Sequence, residues 1–346
     1  MKKDFFFLLS GEYKTLPAAE LRSVLKILDP KSIIKEVISD RIAIAETTLE
    51  AAREAVKRAA YTKLCGIFFG RAENDPEEIL RVIESINPDE LIPAGSSTFA
   101  VRGRRILGSR IDKLGLERRI GERVLMLRPE LKVNLKDPDA VIYFISTKDE
   151  TVVGRLIDMK PKHFFSGRLA GRRPFSLPSA MQPDFSRAMI NLAEVRPGGR
   201  ILDPFAGTGG ILIEAILLGY AAYGIELKDW IARGALKNLS HYCCGYELLI
   251  VGDARSPMFR KNSFDAIVTD PPYGRSTTIP DKSIYLLLDD FLSKCIENLK
   301  DGGRIVISIP AETDIDELIL RHGLRIIESH LARVHGSLIR RVVVAE

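Results

Sequence analysis

The chain has 346 residues, 46% of them hydrophobic and 28% charged, a composition that supports packed cores and excludes wholesale disorder and collagen-like repeats. That length suits two or three domains. The formal net charge is +5, yet the stretch from Val101 to Phe175 holds 18 Lys and Arg against 9 Asp and Glu, so one region carries the basic excess and points to a polyanionic partner. The longest apolar stretches are interrupted by Gly or flanked by Glu214 and Glu226, short of the roughly 18 to 20 residues a membrane span requires. Lys2-Lys3 and the brief run from Phe5 to Leu9 do not make a signal peptide. The cytoplasm is the expected location, with no membrane partner. Cys65, Cys243, Cys244 and Cys295 form no CxxC pair and have no histidine cluster beside them, so they read as free thiols and no metal site is expected.

In chain order, residues 1–48 read as a small α+β unit: a strand over Asp4 to Leu9, a helix from Pro17 to Leu28, and strands at Ser32 to Ser39 and Arg41 to Ala45. Residues 49–158 open with a helix from Leu49 to Ala60 and a second helix starting at Asp75-Pro76, where Asp caps and Pro fits the first turn. A strand at Thr98 to Val101 leads into Arg102, Arg104 and Arg105. A helical stretch from Ser109 to Gly121 follows with Arg118 and Arg119, then strands near Val141 to Ile145 and Thr151 to Ile157. Residues 159–185, rich in Pro and Gly, read as a surface linker in which cations such as Arg172 and Arg173 mix with Phe164 and Phe165, a composition suited to looped nucleic acid.

From residue 186 to 346, strands alternate with helices, the pattern of a parallel α/β sheet. Strands are expected at Arg200 to Asp203, Ala221 to Leu227, Leu248 to Asp253, Phe264 to Asp270, Arg304 to Ile309, Leu324 to Leu331 and Leu338 to Val344, the last two as an antiparallel edge hairpin. The first ends in Asp203-Pro204-Phe205-Ala206-Gly207-Thr208-Gly209. Glycines let a ligand approach the backbone at the carboxyl end of a strand. An acid there repels a pyrophosphate but can hold an ammonium, which favours S-adenosylmethionine over a nicotinamide dinucleotide. Glu226, beside Leu227, lies 23 residues after Asp203, the place of a carboxylate that accepts ribose hydroxyls. Asp253 and Ala254, at the third strand end, suit the amine and a ring nitrogen of adenine.

The fourth strand ends in Asp270-Pro271-Pro272-Tyr273. An exocyclic amine on a base is a poor nucleophile because its lone pair is delocalised into the ring. The Asp270 carboxylate and the Pro271 carbonyl can accept both amine hydrogens and free that lone pair, while Tyr273 stacks on the base. Asp270 is then a positioning group first and a base second.

The glycine loop from Asp203 to Gly209, taken with Asp270-Pro271-Pro272-Tyr273, resembles the amino-methyltransferases that act on nucleic-acid bases. The resemblance implies a class I Rossmann-like methyltransferase domain, with a seven-stranded mostly parallel sheet and an antiparallel edge hairpin, and it implies that Ser186 to Leu192 contacts the methionine part of the cofactor. Val101-Arg102, Glu117 to Gly121 and Leu131 to Asp139 resemble a THUMP domain, which implies a grip on tRNA. The front of the chain is then a ferredoxin-like/THUMP module of α+β class. Candidate RNA contacts are Arg102, Arg104, Arg105, Arg118, Arg119, Lys132 and Lys136, together with Arg172 and Arg173. The tail Val334 to Arg341, and Arg173-Pro174-Phe175 with Pro178-Ser179, resemble the archaeal tRNA guanine-10 N2-methyltransferases.

The resemblance implies methylation of the exocyclic N2 of guanosine 10 in tRNA, once or twice, and a small zinc-containing activator protein added at a sheet edge, for which Tyr246 to Val251 is the candidate strand. The alternatives are N2-guanine methylation elsewhere in tRNA or in ribosomal RNA, and a non-catalytic RNA-binding scaffold. DNA is set aside because the front half is of RNA-binding type.

Overall fold

The structure, a computed structural model, describes residues 2–106, 108–242, 248–256, 258–272, 281–335 and 338–346. Tyr273, Cys243, Cys244, Tyr246 and the Gly336-Ser337 part of the tail motif lie outside the described residues. The chain divides into two units, one of Met1–Ser10, Leu28–Lys57 and Thr62–Lys160, the other of Gly11–Ile27, Arg58–Tyr61 and Pro161–Glu346. Among the described residues no helix is long and apolar enough to cross a membrane.

The elements of the front half are β1 (Lys2–Leu9), α1 (Leu16–Leu28), β2 (Ile33–Ile38), β3 (Ile42–Thr48), α2 (Leu49–Arg58), β4 (Thr62–Glu73), α3 (Pro76–Ser85), α4 (Pro88–Leu91), β5 (Thr98–Arg105), α5 (Lys113–Leu127), β6 (Lys132–Val133), β7 (Ala140–Ser146) and β8 (Glu150–Met159). All eight strands join one sheet in the order β2-β3-β1-β4-β8-β7-β5-β6. The twelve-residue β4 has no counterpart among the expected strands. Its glycines hide it: a Cβ on Gly66 would lie 2.4 Å from the Phe6 ring, and Gly154 of β8 faces the same ring at 2.6 Å. The ring occupies the space two side chains would fill, so the strand lacks the alternation that announces one. Asp75 caps α3 as expected, accepting from the N–H groups of Glu77 and Glu78. Helix α5 starts later than expected, capped by Asp112, and runs through Gly121 to Leu127.

The second half holds α6 (Pro183–Leu192), β9 (Arg200–Asp203), α7 (Gly210–Leu217), β10 (Ala221–Glu226), α8 (Asp229–Tyr242), β11 (Leu248–Val251), β12 (Phe264–Thr269), α9 (Asp281–Cys295), β13 (Leu299–Pro310), α10 (Asp316–Arg321), β14 (Ile326–His335) and β15 (Leu338–Ala345). The seven strands form a sheet in the order β11-β10-β9-β12-β13-β15-β14. The first five are parallel, while β15 runs antiparallel to both β13 and β14, forming the expected edge hairpin. Side chains alternate between two layers. Ile201, Val268, Val306, Val342 and Val344 pack in a cluster with Phe185, Met189 and Leu212 from α6 and α7. Leu202, Ile267, Ile305, Ile307 and Val343 pack with Phe291, Leu292, Leu318 and Ile319 from α9 and α10.

The segment expected to run over the surface is instead built into the second unit. Glu214 of α7, 1% exposed, accepts from Arg168 Nε and Arg187 Nε at 2.7 Å each. Both guanidinium groups lie over the rings of Phe164 and Phe165. A buried carboxylate with two arginines and two aromatic faces fixes this stretch to α6 and α7. Helix α1 belongs to the same unit: the fully buried Glu20 accepts from the backbone N–H groups of Ala60 and Tyr61 and from Asn191 Nδ2.

Candidate functional site

In open α/β sheets a ligand sits beyond the carboxyl ends of the strands, where the strand order reverses. Here that point lies between β9 and β12, which pair in parallel. Asp203 ends β9 and is 1% exposed. Its Oδ1 accepts from Thr269 Oγ1 at 2.7 Å and from the Phe205 N–H at 3.2 Å. Burial outweighs those two bonds and, aided by the nearby Asp270 and Glu226 charges, pushes its carboxyl up to about 7.

The loop after Asp203 turns through Gly207 and Gly209, with φ of 52° and 80°. That is left-handed backbone, which only glycine adopts without strain. Glu226, at the end of β10, holds the loop from the side: its Oε2 accepts from the Gly207 N–H at 3.0 Å, and its Oε1 from the Lys228 N–H at 2.9 Å. Pro204 and Thr208 are buried, Phe205 and Gly207 partly so, and Leu227 is exposed. Ala206 donates its N–H to the Ile225 carbonyl, which ties the loop to β10.

Asp253, beyond β11, is occupied. Arg255 donates to it through Nε at 3.0 Å and Nη2 at 2.6 Å, and this guanidinium holds the Asp253 carboxyl below the usual carboxylate range. Ala254 is buried beside it. The sequence did not disclose the residues that brace this end of the sheet. Asn238, buried in α8, donates from Nδ2 to the Thr208 and Phe175 carbonyls and accepts the Phe175 N–H. The Phe175 ring lies over Gly234 and meets the exposed Trp230 edge-on at 6.0 Å. The one available signal was an Asn in the interior of an otherwise amphipathic helix.

Asp270 follows β12 with Pro271 buried and Pro272 half-buried. Arg340 Nη2 of β15 lies 3.2 Å from Asp270 Oδ2. Asp203 and Asp270 each stand at a strand end, as expected, and the two strands are neighbours in the sheet. Ser186 to Leu192 are all buried in α6, where Arg187 is committed to Glu214 and Asn191 to Glu20.

The basic residues divide. Arg102, Arg104 and Arg105 are exposed along β5, Arg118 is exposed on α5, and Arg119 pairs with Glu77. Lys132 and Lys136 are exposed, with Lys132 opposite Thr98 in the β5–β6 register and Arg102 Nη2 donating to the Leu135 carbonyl at 2.6 Å. Arg172 is also exposed. Arg173 is a correction to the expected RNA-facing set: it is 6% exposed and its guanidinium donates to the Arg168 and Met181 carbonyls. Its charge serves the fold of the segment.

Two family models match the chain, an RMKL-like methyltransferase domain over residues 170–341 and a THUMP domain over residues 73–154. A tRNA (guanine(10)-N2)-dimethyltransferase of Methanothermobacter thermautotrophicus is 35% identical over 99% of this chain and 99% of its own length. One of Pyrococcus abyssi is 34% identical over 85% of this chain and 86% of its own. The chain belongs to the tRNA (guanine(10)-N2)-dimethyltransferase family. The solved structure of TrmN from Thermus thermophilus has the same fold, with a TM-score of 0.54, 23% identity and 99% of each chain covered. In this dimethyltransferase family member the methyltransferase match begins at residue 170, so Arg172 to Phe175 fall inside it, in keeping with the packing of that stretch on α7 and α8.

Proposed function

We propose that this protein transfers methyl groups from S-adenosylmethionine to the exocyclic N2 of guanosine 10 in tRNA, in two rounds, giving N2-methylguanosine and then N2,N2-dimethylguanosine. The observation that carries this reading is similarity over 99% of both chains to a tRNA (guanine(10)-N2)-dimethyltransferase. The strand ends fit the cofactor. A buried carboxyl raised to about 7 suits a cation and would reject a pyrophosphate, and the adjoining glycine loop exposes backbone to a ligand.

The cofactor brings an electrophilic methyl group on a sulfonium. Asp203 would hold its ammonium group, Glu226 its ribose hydroxyls, and Asp253 with the Ala254 N–H its adenine once Arg255 turns aside. Pro204 to Gly209 and Leu227 would frame it. The Asp270 carboxylate and the Pro271 carbonyl accept the amine hydrogens of guanine and draw its nitrogen toward tetrahedral geometry, and Tyr273 stacks on the base. Guanosine 10 must leave its stack to reach them. Pro272 stiffens the turn that presents them. Arg102, Arg104, Arg105, Arg118, Arg119, Lys132, Lys136 and Arg172 bind tRNA phosphates, within or near a THUMP module of residues 49–158, and the protein works in the cytoplasm. A small zinc-containing activator would add to β11, which ends the sheet order among the described residues and whose Leu248 and Val251 are 41% and 49% exposed.

The test is methyl transfer from labelled S-adenosylmethionine to an unmodified tRNA transcript, followed by digestion and mapping. Label in N2,N2-dimethylguanosine at position 10, absent from a transcript with adenosine there, supports the reading. Label at another guanosine, or none with and without the activator, overturns it.

A further inference from the structure

The tail carries two adjacent arginines, and the alternation of a strand gives them different work. Arg341 shares its face of β15 with Val343, in the α9 and α10 layer, and donates to Asp316 Oδ2 at 2.9 Å and to Ser329 Oγ at 2.8 Å. Arg340 shares its face with Val342 and Val344, in the α6 layer, and its guanidinium lies over the Phe185 ring at 5.7 Å. Register carries that face to the reaction end of the sheet. Arg340 is opposite Pro310, the last residue of β13, so β15 begins where β13 ends. Two strand spacings of roughly 4.8 Å separate β15 from β12, and a buried arginine spans that gap to reach Asp270 at 3.2 Å.

We propose that Arg340 is a positioning residue for methyl transfer, aiming the Asp270 carboxylate at the amine of the target base and balancing its charge. The proposal rests on the methyltransferase reading above. The local charges point the same way: Asp203 at the end of β9 and Glu226 at the end of β10 are both acidic, and the Asp270 carboxylate adds a third acid there, which the Arg340 guanidinium faces at 3.2 Å. The cation–π seat on Phe185 and the nearly complete burial of Arg340 fix its direction. Geometry of this kind is worth more to a reaction than to binding, because a displacement near 1 Å of the acceptor is costly in rate.

The experiment compares R340K, R340M and R341Q in the full chain, measuring kcat and KM for tRNA across pH, with calorimetric binding of S-adenosylmethionine. R340M is expected to lower kcat about 10- to 100-fold, with KM and cofactor affinity unchanged and the acid limb of kcat moved to higher pH. R340K is expected to recover much of the loss, and R341Q to behave as the parent. A kcat loss with an unmoved acid limb and no recovery in R340K overturns the proposal. A double-mutant stability cycle of R340M with D270N needs no activity: zero coupling overturns the pairing even if the substrate assignment also fails, and a parent enzyme that labels no tRNA sinks that assignment alone.

Discussion

Charge is used in opposite ways by the two units. In the first, Arg102, Arg104, Arg118, Lys132 and Lys136 stand in solvent, and such charges act at a distance, are screened by salt and substitute for one another. In the second, Glu214, Asp203, Arg173 and Arg340 are buried, and each acts on one or two named atoms. Exposed charge sets affinity for a polyanion; buried charge sets geometry. A substitution at an exposed cation should therefore be mild and salt-dependent, and one at a buried charge severe and local.

The largest effect should come from Asp270. D270A is expected to lower kcat about 10²- to 10⁴-fold with cofactor affinity nearly intact, as read by label transfer and calorimetry; an equal loss of cofactor binding would erase its distinction from Asp203. Next is Glu214. Its removal in E214A leaves the buried Arg187 and the half-buried Arg168 without this counter-charge, a loss of about 3–5 kcal/mol to be read by denaturant unfolding. A smaller effect follows from pH. With the Asp203 carboxyl at about 7, protonation below that value removes the charge proposed to hold the cofactor's ammonium, so affinity should fall up to about tenfold per pH unit on acidification, and D203N should bind weakly at all pH values. A flat profile in the parent protein would take Asp203 out of the binding role.

The same carboxyl reverses the usual effect of acid on stability. Because its folded pKa lies above its unfolded value, its contribution favours the folded state at low pH and is lost as pH rises toward 7. The mildest effect is expected for single cations on the first unit: K136A should weaken tRNA binding less than about tenfold and reduce the salt slope by about 1, with stability within about 0.5 kcal/mol of the parent. The neighbours Arg172 and Arg173 sharpen the contrast, since R172A should move only the tRNA salt slope and R173A only the unfolding midpoint.

The methyltransferase sheet was largely legible because each strand end carries its own chemistry. Arg200 to Asp203 was found to the residue, and the tail hairpin and Asp270 at the end of β12 followed from the same alternation of strand and helix. What escaped depends on distant partners. Strand β4 is disguised by Phe6, a ring from another strand, and no local pattern reports that. Arg173 reads as a surface cation until its carbonyl partners, Arg168 and Met181, are seen. Asp270 and Arg340 are 70 residues apart, and their pairing follows only once β15 is known to lie beside β13. The strand expected to reach Asp253 ends at Val251, and the sequence could not reveal that Arg255, two residues on, occupies the Asp253 carboxylate.

The membership of α1 in the second unit has a temporal consequence. The chain passes between the two units at 10/11, 27/28, 57/58, 61/62 and 160/161, so neither is a continuous stretch of polypeptide. Glu20 emerges from the ribosome long before Asn191, one of its donors. Until the far half of the protein has been synthesised, Glu20 has the N–H groups of Ala60 and Tyr61 to accept from but not the Asn191 amide. Cutting the gene at residue 160 would give a fragment lacking α1, with Asn191 facing an empty place where Glu20 should be.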